Sequence, residues 1–404
     1  MSTQISKPAE QRLGNDSPPA NSTLVDELED LSIGAIEERL EAVSERFYYA
    51  SQWQLILWRF QRHRLAVLSL ILLVILYLLA AFAEFFSPYL ATSRFTGLQM
   101  APPTRIHIFH EGKLHRPFIY APQRSLDPET FRYIFVEDTS TPYPILFFTQ
   151  GEEYKLWGLW SANLRLFGTG PDAPPIMLFG SDPLGRDIFS RTIYGARISL
   201  TIGLLGVAIS FVIGVIIGGI SGYFGGTIDE VIQRLIDVII SIPLIPFWMA
   251  LSAALPRNWT TVQTFFAITL ILAAVNWTGL ARVVRGKLLA LREEDYALAA
   301  QVAGASKPRI IFRHLLPGFT SHLIVSITLS IPVAILGETA LSFLGLGIQA
   351  PAVSWGVLLQ DAQDLMVVAQ QPWRLIPAIF VIGAVLLFNF VGDGLRDAAD
   401  PYST

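Results

Sequence analysis

The stretch LAVLSLILLVILYLLAAFAEFF, Leu65 to Phe86, is 22 residues long and carries Glu84 as its one charge. At about 1.5 Å per helical residue it extends roughly 33 Å, enough to cross the ~30 Å hydrocarbon core of a bilayer. Arg59, Arg62 and Arg64 stand immediately before it, and arginine clustered beside a first span favours a cytoplasmic N-terminus. The roughly 50 residues upstream are polar and acidic, unlike the short basic leader of a cleaved secretory signal. The run is therefore expected to persist as a membrane anchor.

The rest of the chain repeats this pattern. Its 404 residues are 52% hydrophobic and 15% charged, against roughly 25% charged in a soluble domain. Further apolar runs lie at Ile198 to Ile220, Val238 to Leu255, Val262 to Ala281, Leu323 to Gly347 and Leu375 to Val391. The expected fold is an all-α polytopic membrane protein with about six transmembrane helices. The segment Arg285 to Pro317 carries Arg285, Lys287, Arg292, Lys307, Arg309 and Arg313, whereas the loop after Leu255 has only Arg257. That bias, with an even number of spans, puts both termini in the cytoplasm.

Two segments read as extramembrane. Residues 1–58 form an N-terminal tail, Ser/Pro/Asn-rich at first and then acidic from Asp26 to Glu45, where the apolar spacing suits one amphipathic helix. It is either a solvated tail or a partner-docking element. After the first span (59–87), residues 88–178 contain no run long enough to cross a membrane. Instead RPFIYA, FRYIFVED, YPILFF and EYKLWG are short aromatic and β-branched runs bounded by Pro, Gly or Asp. A small strand-rich extracytoplasmic insertion between helices 1 and 2 follows. His107, His110 and His115 lie close together within it, but their spacing defines no ligand geometry and no metal is assigned.

Several residues inside the apolar runs ask for an explanation. Gly214, Gly218 and Gly222 make two GxxxG steps on one face, read as close helix packing or as a hinge. Pro243, Pro246 and Pro332 imply kinks. Glu338 is costly in a membrane and marks a functional or paired position. It faces a translocation path, bonds a neighbouring helix, or lies where the helix breaks after Gly337. In SDPLGRD, residues 181–187, Pro183 suits the first position of an interfacial helix, and Asp182 and Asp187 suit capping and ion pairing better than a cation site.

The segment REEDYALAAQVAGASKPRIIFRHLLP, Arg292 to Pro317, predicts a helix through Ala303, a sharp turn at Gly304 and a second, short helix opened by Pro308. Leu298 and Val302 offer apolar surface and the flanking Arg and Lys a rim, a combination that suits a groove on a soluble partner or the membrane surface. The sequence contains no GxxxxGK[ST], HExxH or GxSxG motif, so no catalytic residue and no cofactor are assigned and ATP hydrolysis is not expected of this chain. The absence of cysteine rules out disulfides and thiolate chemistry. A net charge of −4 without a basic patch argues against nucleic acid as a partner.

The spacing of Ala299, Ala300, Gly304, His314, Leu316 and Pro317 resembles the EAA coupling loop of ABC importer permeases, with Leu298 standing where the motif has glutamate. FGSDPLGRDIFSRTIYGARISL (Phe179 to Leu200), GETALSFLGLGIQAPAVSWGVLL (Gly337 to Leu359) and GDGLRDAADP (Gly392 to Pro401) resemble the C-type subunit of dipeptide and oligopeptide permeases. The likeness covers about residues 59–92 and 179–401. It implies a type I ABC importer permease in a bacterial inner membrane, with a five-helix core at 179–401 and a coupling loop at 285–317. Leu298, Ala299, Ala300, Gly304, His314, Leu316 and Pro317 would couple to an ATPase subunit, and Glu338 and Pro332 would lie on the translocation path. The implied partners are a second, homologous permease subunit in a heterodimer, two ATP-binding subunits, an extracytoplasmic substrate-binding protein and the lipid bilayer. The cargo would be peptides or similar small solutes. The 88–178 insertion is larger than the group usually carries, and reads as a receiver for the binding protein or as an architectural cap. The alternative is a secondary transporter or channel-like protein, which calls for internal repeats or matching discontinuous helices. No convincing repeat is visible.

Overall fold

The computed structural model describes residues 52–128, 131, 133–256 and 258–399. The chain divides into two units, Met1–Trp58 and Arg59–Thr404. Of the first, only the opening turns of α1 (Gln52–Arg62) fall among the described residues, so the acidic amphipathic helix lies outside them, as does Arg257.

The first membrane helix, α2 (Arg64–Ala81), starts at His63, whose Nδ1 accepts the Ala66 amide hydrogen at 3.1 Å. It is shorter than the Leu65 to Phe86 expected of it, because the chain breaks at Phe82 and restarts as α3 (Ala83–Phe86). The Arg197 guanidinium explains the break. It donates to the carbonyls of Ala80 (3.0 Å) and Ala81 (2.9 Å) and pairs with both Glu84 oxygens (2.8 and 2.6 Å). Carbonyls that would be orphaned in apolar surroundings are thus satisfied by a side chain.

A run of β-structure follows. Strands β1 (His107–His110), β2 (Lys113–Leu126) and β3 (Tyr133–Pro144) form an antiparallel meander, and β4 (Leu146–Leu156) with β5 (Trp160–Gly168) forms a separate hairpin. Ile119, Ile145 and Ile176 are buried between these strands and the chain on either side. The helix expected to open at Pro183 does not form. Residues 181–187 make a turn closed by a Ser181 to Asp187 bridge, with Asp182 Oδ1 accepting the amides of Leu184 and Arg186, both at 2.9 Å. Gly185 sits at φ +73°, and the space of a Cβ there is occupied by the Phe95 carbonyl, so the segment cannot be helical.

Helix α4 (Ile188–Phe224) begins at the next residue and runs for 37 residues. It is followed by α5 (Gly226–Ser241), α6 (Leu244–Ala253), α7 (Thr261–Leu291), α8 (Asp295–Val302), α9 (Lys307–Phe343), α10 (Trp355–Gln360), α11 (Leu365–Gln370) and α12 (Pro372–Ala399). Among the described residues, α2, α4, α7, α9 and α12 are long and apolar enough to cross a membrane. The pair α5 and α6 passes the same test together but is bent by 85°. The straight span expected at Val238 to Leu255 is therefore broken. Pro243 lacks an amide hydrogen and its ring disfavours helix for Ile242, which is extended at φ −83°, ψ 128°.

Helices α4 and α7 make the most intimate pair. A Cβ on Gly222 would lie 2.7 Å from the Arg285 carbonyl oxygen, and one on Gly218 would lie 2.8 Å from Ala281 Cα. The GxxxG face is thus a packing face. Helix α9 ends at Phe343, short of the Gly347 expected, because the chain folds back on itself and Gly347 is pressed against Ser342. Its start is far earlier than Leu323. The chain is α-helical at Lys307–Arg309, widens to a π turn over Ile310–Leu315 and tightens to a 3₁₀ turn over Leu316–Phe319. Pro317 has no amide to donate to the turn before it, and a change of helical pitch accommodates the missing bond.

Candidate functional site

Helix α8 and the start of α9 form a helical hairpin at the end of the bundle where α4 finishes. Gly304 makes the turn at φ +77° with open space around it, and the amides of Gly304 and Ala305 bond the carbonyls of Gln301 (2.9 Å) and Ala300 (3.0 Å). Such a left-handed C-terminal residue is what glycine supplies without strain. The root of the hairpin is apolar and fully packed: Ala297, Ile310, Ile311, Leu315 and Phe319 share one cluster with Val215 of α4 and Val284 and Leu288 of α7.

The outward side is apolar too. Val302 is 90% and Leu298 43% exposed, with Ala299 and Gly304 also exposed and Ala300 half-buried against the cluster. His314 and Leu316 are half-buried and Pro317 is exposed. The seven residues singled out from the sequence thus separate into an exposed tip (Leu298, Ala299, Gly304) and positions nearer the root (Ala300, His314, Leu316, Pro317). Not all the basic residues expected on the rim are at liberty. Arg285 clasps Asp229 of α5, with Nη2 to Oδ2 at 2.5 Å, and Ser221 donates to the same carboxylate at 2.5 Å. Arg292 reaches the carbonyls of Gly222 (3.4 Å) and Tyr223 (3.3 Å), and Lys307 lies 4.8 Å from the Phe224 ring centre. These contacts tie the hairpin to the α4–α5 corner, whereas Arg309 and Arg313 remain exposed.

A second polar centre is enclosed in the bundle. Glu338 is fully buried and accepts from Ser199 of α4 at 2.9 Å and from Ser342 one turn on at 2.7 Å. Ser199 Oγ in turn accepts the Trp355 amide (3.1 Å), and Ser342 Oγ accepts the Ile348 amide (3.0 Å). The carboxylate therefore joins α9 to α4 and to the start of α10. The helix does not break after Gly337, which is instead crowded by Trp248 and Leu272 at 3.0 Å. Pro332 is buried within the same continuous helix.

At the opposite end of α4 the charges are also internally matched. Asp182 accepts from Arg186 (2.6 Å) and from the buried Arg191 (2.5 Å), and Arg191 also meets Asp361 at 3.5 Å. Asp187 caps α4 through the amides of Phe189 and Ser190. Burial pushes its carboxyl up to about 6, against the opposing pull of those hydrogen bonds. Arg165 was not legible as a special residue, yet it is fully buried. It donates to the carbonyls of Glu84 (2.6 Å), Ser87 (3.0 Å) and Glu152 (3.0 Å). The histidines of the β-module bond elsewhere, His107 to Glu137 at 3.0 Å and His110 to the Tyr120 hydroxyl at 2.9 Å. Among the described residues no group of three His, Cys, Asp or Glu is placed to hold a metal ion.

Long apolar helices, a β-rich insertion and a packed surface hairpin define a polytopic membrane protein. The sequence profile described as "Binding-protein-dependent transport system inner membrane component" matches residues 210–402, and that of the N-terminal TM domain of oligopeptide transport permease C matches residues 51–103. The dipeptide transport system permease protein DppC of Bacillus subtilis is 44% identical over 224 residues, 55% of this chain and 68% of the relative. The oligopeptide transport system permease protein OppC of Haemophilus influenzae is 40% identical over 258 residues, 64% of this chain and 80% of the relative. An inward-facing structure of the MetNI methionine ABC transporter matches 52% of this chain and 97% of its own at 18% identity, with a TM-score of 0.40. The chain belongs to the binding-protein-dependent transport system inner membrane component family. It is a membrane-embedded transport permease subunit.

Proposed function

We propose that this chain forms half of the translocation pathway of an ATP-driven importer for peptides or similar small solutes. The observation that carries the reading is the α8–α9 hairpin, apolar at its exposed tip and locked at its root into the core of α4 and α7. ATP-binding subunits would seat on Leu298, Ala299, Ala300 and Gly304. Leu298 in place of the motif glutamate makes that contact one of shape and apolar burial. His314, Leu316 and Pro317 would carry the displacement into α9, whose buried Pro332 and Glu338 would act behind the path, Glu338 by tying that helix to α4, and not as groups lining it. Dipeptide and oligopeptide permeases among the relatives support the cargo class.

In this reading the bent α5–α6 pair is one span, making six, and the chain divides as 1–58, 59–87, 88–178 and 179–401 with the coupling loop at 285–317. The hairpin and both termini face the cytoplasm and the β-module faces outward. A second permease subunit, two ATPase subunits and an external binding protein complete the assembly. The test is Val302→Glu in the co-expressed complex: binding-protein-stimulated ATPase activity and peptide uptake fall at least tenfold, while Val302→Ala and the melting temperature of both variants stay near the parent's. Undiminished stimulated ATPase activity in Val302→Glu, or recovery of a lone chain in mild detergent, refutes the reading.

A further inference from the structure

The β4–β5 hairpin is fastened to α3 and to the end of the first membrane helix, α2, at three successive places. Toward its base Phe148 faces Phe85, with ring centres 6.4 Å apart. Further along, buried Arg165 bonds the Glu84 carbonyl at 2.6 Å. At the tip Trp157 donates its indole hydrogen to the Ala81 carbonyl at 2.7 Å and packs on Phe82, with ring centres 5.5 Å apart. The contacts step back along the chain from Phe85 to Ala81, so the hairpin tip meets the last residue of α2.

The Trp157 bond to Ala81 fixes the depth of the tip. Ala81 lies 17 residues beyond Arg64, roughly 26 Å along the axis, just inside the far boundary of a ~30 Å hydrocarbon layer. Trp and Tyr concentrate at this level of a bilayer, their rings apolar and their polar atoms bonded. The tip turns outward Leu159 (72% exposed), Trp160 (59%) and Trp157 (50%). On α2 itself Leu72, Val74, Ile75 and Leu78 are exposed apolar residues, a surface that would face lipid. The nearest charge on the hairpin, Lys155, pairs with Ser161, one register step from the Leu156 and Trp160 pair and so on the other face. From there its long stem would let the ammonium reach headgroups.

We propose that the β4–β5 hairpin is a membrane-interface anchor, its Trp157, Leu159 and Trp160 seated at the boundary between acyl chains and headgroups. This rests on the reading of α2 as a membrane span. The hairpin then holds the whole β-module at a fixed height and azimuth beside the permease.

The cysteine-free sequence allows a direct test. Single cysteines replace Leu159, Trp160, Leu72 in mid-span, and Glu111 in the β1–β2 turn of the full-length chain. Each carries a nitroxide label, in vesicles of phosphatidylethanolamine and phosphatidylglycerol. The labels at 159 and 160 are expected to collide several-fold more with oxygen than with a water-soluble nickel chelate, as the label at 72 does, while the label at 111 shows the reverse. Nickel-dominated collisions at 159 and 160 overturn the proposal, and so do low collisions with both reagents, which would mean a covering protein. A nickel-dominated label at 72 would instead refute α2 as a span and the anchor with it.

Discussion

Asp187 is asked to do two opposed things, to accept the first amides of α4 and to stay in a place with no water. The amide bonds and the positive end of the helix favour its carboxylate, whereas burial disfavours it and prevails, pushing the group up to about 6. Between roughly pH 4 and 6 the folded chain then holds a proton that the unfolded chain has released. The stability due to Asp187 is complete below the unfolded value and is lost as pH rises through about 6. Asp187→Asn keeps a good cap without the titration. The melting temperature of the parent is expected to fall relative to Asp187→Asn between pH 4.5 and 7, and parallel profiles would refute the effect. SDPLGRD reads as a turn capped by Ser181 or Asp182, but that Asp187 caps a helix starting at Ile188 and that Asp182 pairs with Arg191 was not resolved from the sequence. Glu338 shows the same limit: Ser342, one turn along, is visible on a helical projection, while Ser199 is 139 residues away. Arg165 gave no signal, since strand cations are usually solvated and only the carbonyls of α3 make this one a clamp.

Among the elements, those set by local chemistry were readable and those set by distant side chains were not. The GxxxG face of α4, the Gly304 turn and the helix start beside Pro308 follow from residues in place, although that helix runs on to Phe343 and is not the short one expected. The end of α2 at Phe82 follows from Arg197, more than a hundred positions later, and no window of sequence holds both. Pro243 announced a bend but not its 85° angle, which depends on what α6 packs against: Trp248 is buried beside Ile268 and Leu272 of α7. The close approach of α4 to α7 has a measurable cost if filled. Gly218→Ala puts a methyl into the Ala281 backbone and is expected to destabilise by about 1–3 kcal/mol as overpacking. Gly279→Ala, with nothing within 4 Å, is expected to be neutral or slightly stabilising through helix propensity. Thermal unfolding in detergent compares the two, and equal losses would contradict the packing assignment.

For the molecule as a unit, the charges sort themselves by end. Arg165, Arg197, Asp182 and Arg191 knit the end that carries the β-module, and Arg285, Asp229 and Arg292 knit the end that carries the α8–α9 hairpin. With the proposed orientation, cysteines placed at Glu111 and at Val302 lie on opposite faces of the membrane. A membrane-impermeant maleimide applied to spheroplasts is expected to label position 111 at once and position 302 only after permeabilisation; simultaneous labelling would reverse the topology. The two ends are joined most directly by α4. Its 37 residues amount to about 55 Å of rod, nearly twice the ~30 Å hydrocarbon thickness. A rigid rod pivoting by ~5° about its middle swings each tip by about 2.4 Å in opposite senses. Force applied at the corner after Phe224 thus reaches the cap at Asp187 as displacement, with no relay of side chains between them, and a rocking beam of this length acts as its own transmission.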